Sequence, residues 1–111
     1  MSLDELAKKK LIGNLTNELK VLRAKVGITQ QELADRLGVS RQTYGMIENK
    51  SQDMTWSLFL ALTFLFKNNE DTGRMLEWAE AYTPDLERYL KLHDEYAKHP
   101  GVVRCKKGDT D

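Results

Sequence analysis

Residues 29–49 read Thr-Gln-Gln-Glu-Leu-Ala-Asp-Arg-Leu-Gly-Val-Ser-Arg-Gln-Thr-Tyr-Gly-Met-Ile-Glu-Asn. The pattern predicts two short helices joined by a tight turn. Thr29 is an N-cap, and Glu32 three residues later completes a capping box. Leu33 and Leu37, spaced i,i+4, give the first helix one apolar stripe. Gly38 follows the last periodic residue, where a left-handed C-cap suits glycine, and Val39 can plug the corner. Ser40 is a second N-cap, and Tyr44 and Ile47 form the buried face of the helix it opens. Ala34 lies where a steeply crossing second helix comes closest, so a small side chain is needed there.

Working outward, Leu15, Leu19, Leu22 and Val26 lie at i, i+4, i+7 and i+11, one face of a helix running to about Lys25. Gly27 ends it, and Ile28 acts as a staple before Thr29. Upstream, Ser2-Leu3-Asp4-Glu5 is another capping-box pattern, so a short helix is expected over residues 2–12, with a break at Gly13-Asn14. Lys8-Lys9-Lys10 is either an arm touching phosphate or the minor groove, or a solvated helix face.

Downstream, Ser51-Gln52-Asp53-Met54 is a polar loop and Thr55 caps a helix to about Lys67. That helix is apolar on nearly every side. Leu58, Ala61, Leu62 and Leu65 form one stripe, expected to close the preceding core. Phe59, Thr63 and Phe66 form another, which needs a partner beyond it. Asn68-Asn69-Glu70-Asp71 is a polar turn. Thr72 is read as the cap of a helix bearing Met75, Leu76, Trp78, Ala79 and Tyr82. Thr83-Pro84 starts a last helix with the stripe Leu86, Tyr89, Leu90, His93 and Tyr96, supported by the pairs Glu87/Lys91 and Asp94/Lys98.

The caps, the small residue, the glycine corner and the hydrophobic spacing coincide on one register. Thr29 to Ala34, Ser40-Arg41-Gln42-Thr43 and Ile47-Glu48-Asn49 together resemble the Cro/lambda-repressor-type helix-turn-helix family, also called the XRE family, over roughly residues 14–67. The resemblance implies an all-α, lambda-repressor-like bundle of about five helices with a C-terminal helical extension. It divides the chain into an N-terminal helical arm (1–13), a DNA-binding domain (14–67), an extension that completes the core or dimerises (68–99) and a tail (100–111). Tyr44 stands where the family more often has a β-branched residue, and Asn49-Lys50-Ser51 where it often has Asn-Gly.

The second helix of such a motif enters the major groove with its N-terminal residues toward base edges. With Tyr44 and Ile47 inward, the outward set is Arg41, Gln42, Gly45 and Met46. Arg41 can fork onto guanine and Gln42 onto adenine. Met46 can pack on a thymine methyl. Gly45 either admits the DNA backbone closely or is simply tolerated. Ser40 and Thr43 suit phosphate or cap duties. The resemblance implies that Gln30 and Asn49 hold phosphates, and Lys50 joins them on charge grounds. It also implies an ion pair between Arg23 and Glu48.

Charge and composition fit this reading. The chain of 111 residues has a net charge of zero, but the balance is uneven. Residues 1–67 carry ten Lys/Arg against seven Asp/Glu, and residues 68–111 seven against ten. A basic front and an acidic back suit a protein that presents one end to phosphates. So small an excess points to weak phosphate binding by one copy, and the resemblance implies a homodimer on inverted half-sites of double-stranded DNA. The apolar surplus on residues 56–66, with Trp78, Tyr82, Tyr89 and Tyr96, is either the dimer surface or part of one core.

An apolar content of 41% argues against global disorder. No segment reads as a membrane span or a secretory leader, and the single cysteine, Cys105, fits a reducing compartment, so a cytoplasmic location is expected. His93, His99 and Cys105 match no zinc spacing, and no nucleophile with a base is visible, so neither a cofactor, a metal site nor an enzyme is expected. Two functions compete: a transcriptional regulator, expected to repress, and an antitoxin or other interaction module that clamps a toxin or another protein with its C-terminal helices.

Overall fold

The computed structural model describes residues 3–92, which form six α-helices and no strand. They are α1 Glu5–Val26, α2 Gln30–Leu37, α3 Arg41–Glu48, α4 Trp56–Lys67, α5 Glu70–Trp78 and α6 Pro84–Leu90. The expected positions His93, Asp94, Tyr96, Lys98, His99 and Cys105, and the tail 100–111, lie outside the described residues.

The N-terminal arm and the break at Gly13-Asn14 are replaced by one unbroken helix of 22 residues. Its cap is Asp4, which accepts a hydrogen bond from the Ala7 amide. Leu11 prolongs the stripe of Leu15, Leu19 and Leu22, and all four are buried. Burying a leucine is worth about 1.5–3 kcal/mol, more than the ~1 kcal/mol that a mid-helix glycine costs relative to alanine. Asn14, the other expected breaker, donates from Nδ2 to the Glu80 carbonyl at 3.0 Å, which ties α1 to the turn after α5. Val26 leaves the stripe, being 41% exposed, because α1 ends there in the left-handed Gly27 (φ 70°). Ile28 packs against the core instead.

The α2–turn–α3 unit follows the local signals closely. Both halves of the Thr29–Glu32 capping box are present. Its bonds to Thr29 hold the Glu32 carboxyl below the ordinary carboxylate range. Gly38 is left-handed at φ 76°, the Val39 amide donates to the Ala34 carbonyl, and Ala34 is fully buried at the crossing. Ser40 caps α3 by accepting from the Thr43 amide. After α3, Lys50 takes a left-handed φ of 71°, the conformation for which glycine is the usual choice.

Both expected stripes of α4 are covered, and the second is the more deeply buried. Phe59, Leu62, Thr63 and Phe66 are the buried set, while Leu58, Ala61 and Leu65 are half-buried. The reason is tertiary. α5 folds back along α4 while α1 also packs on it, and Leu76, Ala81 and Leu86 complete the inner side. Asn69, not Thr72, caps α5. Thr72 is instead fully buried, and its hydroxyl donates to the Phe66 carbonyl at 2.6 Å, reinforcing a C-terminal carbonyl of α4 that otherwise accepts only a long bond, 3.3 Å, from the Asn69 amide. Trp78, for which the sequence leaves core and dimer surface both open, is 78% exposed. Lys8 sits over the rings of Trp56 and Tyr89, at 5.3 and 5.7 Å, so α1, α4 and α6 meet around one ammonium. No described helix is long and apolar enough to cross a membrane.

The two buried threonines behave oppositely. The Thr63 hydroxyl is buried and finds no partner among the described residues, whereas that of Thr72 is bonded. Thr63→Val is therefore expected to leave stability unchanged or raise it by up to about 1 kcal/mol, and Thr72→Val to lower it by about 1–2 kcal/mol. Denaturant midpoints of the two variants decide this. Equal losses in both would contradict the hydrogen-bond assignment.

Candidate nucleic-acid interface

Glu48 is the last residue of α3, and its carboxylate is buried, with side-chain exposure of 2%. Four donors converge on it from three helices. Arg23 of α1 contributes two, Nε to Oε2 at 2.8 Å and Nη2 to Oε1 at 2.9 Å. Gln30 of α2 donates from Nε2 to Oε1 at 2.8 Å. The Tyr44 hydroxyl, one turn back on α3, donates to Oε2 at 2.7 Å. Arg23 also reaches the Ile28 carbonyl from Nη1.

Burial pushes the Glu48 carboxyl up, but the hydrogen bonds from Arg23, Tyr44 and Gln30 outweigh it and bring the pKa down to about 2. Burial, with the bond to Glu48, pushes the Tyr44 phenol well above its ordinary range. The bond to Glu48 likewise raises Arg23. Every member thus keeps its charge state around neutral pH, and α3 is held to α1 and α2 by a saturated cluster.

With that face of α3 fixed inward, the other faces out. Arg41 and Gln42 are exposed on the first turn, and Gly45 and Met46 are half-exposed on the next. All four line one groove of about 350 Å³ with Asn49. Its walls are completed by Gln30 of α2 and Lys20 of α1. Ser40 and Thr43 lie at the start of α3 but do not line it. Their hydroxyls are bonded to each other at 3.0 Å in the cap. Lys50 lines a second groove instead, between α1 and the α3–α4 loop. Asn49 accepts from the Ser51 amide through Oδ1.

Gln30 has a double position. It lies in the groove, yet one hydrogen of its amide nitrogen is given to Glu48. Its oxygen faces Gly45, 3.6 Å from where a Cβ on that glycine would stand.

Three features escaped the sequence reading. No local pattern places Lys20 at the candidate interface, because only the packing of α1 against α3 brings it there. Periodicity places Tyr44 in the apolar core and says nothing of its hydroxyl. The i,i+4 spacing of Tyr44 and Glu48 was the available signal. The Gln30–Glu48 bond joins residues 18 apart and has no local signature.

The lowered Glu48 pKa has a sign. The carboxylate stabilises the fold above its ordinary pKa of 4.5, and this contribution is lost as pH falls toward about 2. The shift corresponds to about 3 kcal/mol. Denaturant midpoints taken from about pH 7 down to about pH 2 should therefore show the gap between the native chain and Glu48→Gln widest above about pH 5 and shrinking with acid. A gap independent of pH would refute the clamp. Tyr44→Phe should cost about 1.5–3 kcal/mol at neutral pH, the worth of one bond to a charged group.

A family model described as helix-turn-helix matches residues 19–54. Comparison with curated proteins and with solved structures finds no match. The matched segment spans α2, α3 and the part of α1 that supplies Arg23. The segment that Glu48 holds together thus matches the helix-turn-helix family, in agreement with the Cro/lambda-repressor-type resemblance of its sequence.

Proposed function

We propose that this protein is a sequence-specific transcriptional regulator, a repressor that binds an inverted-repeat operator as a homodimer with α3 in the major groove. The observation that carries this reading is the exposure of Arg41 and Gln42 on the first turn of a helix whose opposite face is locked by Glu48. Those two side chains supply a bidentate donor for guanine and a donor–acceptor pair for adenine. Asn49, Lys50 and the remaining amide hydrogen of Gln30 supply the flanking phosphate contacts, with Ser40 and Thr43 at the capped helix start beside them.

A homodimer is supported by the side chains that stay uncovered away from the groove. Phe64 on α4 is 69% exposed and Trp78 on α5 is 78% exposed, large apolar groups of a kind that partners commonly cover. The same pair favours a second reading, in which a toxin or another protein covers them and the chain is an antitoxin that also binds DNA. Sedimentation of the purified chain separates the two: a dimer that survives dilution and is broken by Phe64→Glu supports self-association, and a monomer supports the other partner.

Selection of binding sites from random duplex DNA tests the function directly. Arg41→Ala is expected to relax preference at one base position, a loss of about 1–3 kcal/mol for the preferred base. Gly45→Ala should leave the fold as stable or better, because the new methyl meets only Gln30 at an ordinary distance and helix propensity improves by up to about 1 kcal/mol. Its DNA affinity should nevertheless fall, because DNA approaches the bare helix there. Unaltered specificity in Arg41→Ala would rule out the proposed reading face, and native affinity in Gly45→Ala would show that the glycine is merely tolerated.

A further inference from the structure

One face of α1 has no role in the core and none in base reading. Lys9, Gly13, Thr16 and Lys20 follow at i, i+4, i+7 and i+11, so they share a line along the helix, turned away from the leucine stripe. Lys20, at one end, lines the groove that holds Arg41, Gln42 and Asn49. Lys9, Gly13 and Thr16 line the neighbouring groove of about 710 Å³, together with Lys50. Asn49 and Lys50 are consecutive, so the two grooves adjoin at the end of α3.

We propose that this face of α1 is a second DNA-contacting edge that grips backbone phosphates beside the half-site read by α3. The inference rests on the DNA-binding reading above. Lys9, Lys20 and Lys50 form no ion pair among the described residues, although four such pairs occur elsewhere. The carboxylate in the smaller groove, Glu48, is saturated by its own donors. Glu5 and Asp53 line the larger groove too, which limits its positive character. The phosphate-binding stretch is therefore Lys9 to Lys20, about 16 Å of helix axis, enough to follow several phosphates of one strand.

Gly13 gains a purpose in this arrangement. A Cβ there would meet nothing within 4 Å, so the fold does not require glycine. Its bare backbone, between two lysines, lets a sugar–phosphate chain come close. Such contacts position the domain without reading sequence.

The test uses the full chain and a duplex chosen by selection from random DNA. Its affinity is measured over a range of salt for the native chain, for Lys9→Ala/Lys20→Ala, and for Lys10→Ala/Lys25→Ala, which removes the same charge from other faces of α1. The first pair should reduce the slope of log affinity against log salt by about 1.8, at about 0.9 per lost phosphate contact, with base preference unchanged. The second pair should leave the slope near the native value. Gly13→Ala should fold normally by circular dichroism and bind every duplex more weakly by a similar factor. Equal slopes in the two double variants overturn the edge, and native affinity in Gly13→Ala overturns the close approach. If the native chain binds no duplex at all, the functional reading fails as well, a result distinct from either of these.

Discussion

A single buried carboxylate sets the geometry of the candidate interface. Taking Glu48 out of water is costly on its own, and only donors placed around it offset that cost. Here two come from one guanidinium, one from a phenol and one from an amide, and they belong to α1, α3 and α2. Apolar packing alone tolerates small sliding and rotation of helices. A carboxylate whose two oxygens must each meet two donors does not. The angle and register of α3 therefore follow from Glu48, and so does the direction in which Arg41 and Gln42 point.

The rest of the chain stiffens that arrangement. α2 and α3 are eight residues each, too short to be stable alone, so their helicity depends on what they pack against. The long α1 supplies the leucine stripe, and α4 closes the other side. α4 is itself covered by α5, which pins the end of α4 through Thr72 and ties back to α1 through Asn14 and Glu80. The C-terminal helices thus support the interface from behind without entering it.

Charge follows the same division. On α4 to α6, lysine and arginine are engaged at the surface: Lys67 with Glu77 and over Tyr82, Arg74 with Asp71, and Arg88 with Asp85. Exposed pairs of this kind add little stability. What they change is availability, because those cations are partly neutralised while Lys9, Lys20, Arg41 and Lys50 form no ion pair among the described residues. A chain with no net charge can therefore still present a cationic side.

Local chemistry in the sequence determined the helix-turn-helix, because caps, a left-handed glycine and i,i+4 spacing act within a few residues. Thr29, Glu32, Gly38, Ser40 and Thr83 stand in the structure as their residue types demand. Tertiary contact decided the rest. Whether Gly13 breaks α1, which stripe of α4 is buried, whether Thr72 caps or bonds inward, and where Trp78 points all depend on what another helix offers. Leu11 carries α1 through its glycine because a core lies beside it. Lys20 reaches the interface only because α1 packs against α3, and the Gln30–Glu48 bond spans a separation no local pattern encodes. Short-range preferences are legible in a chain; the competition between faces for one shared core is resolved only when the helices meet.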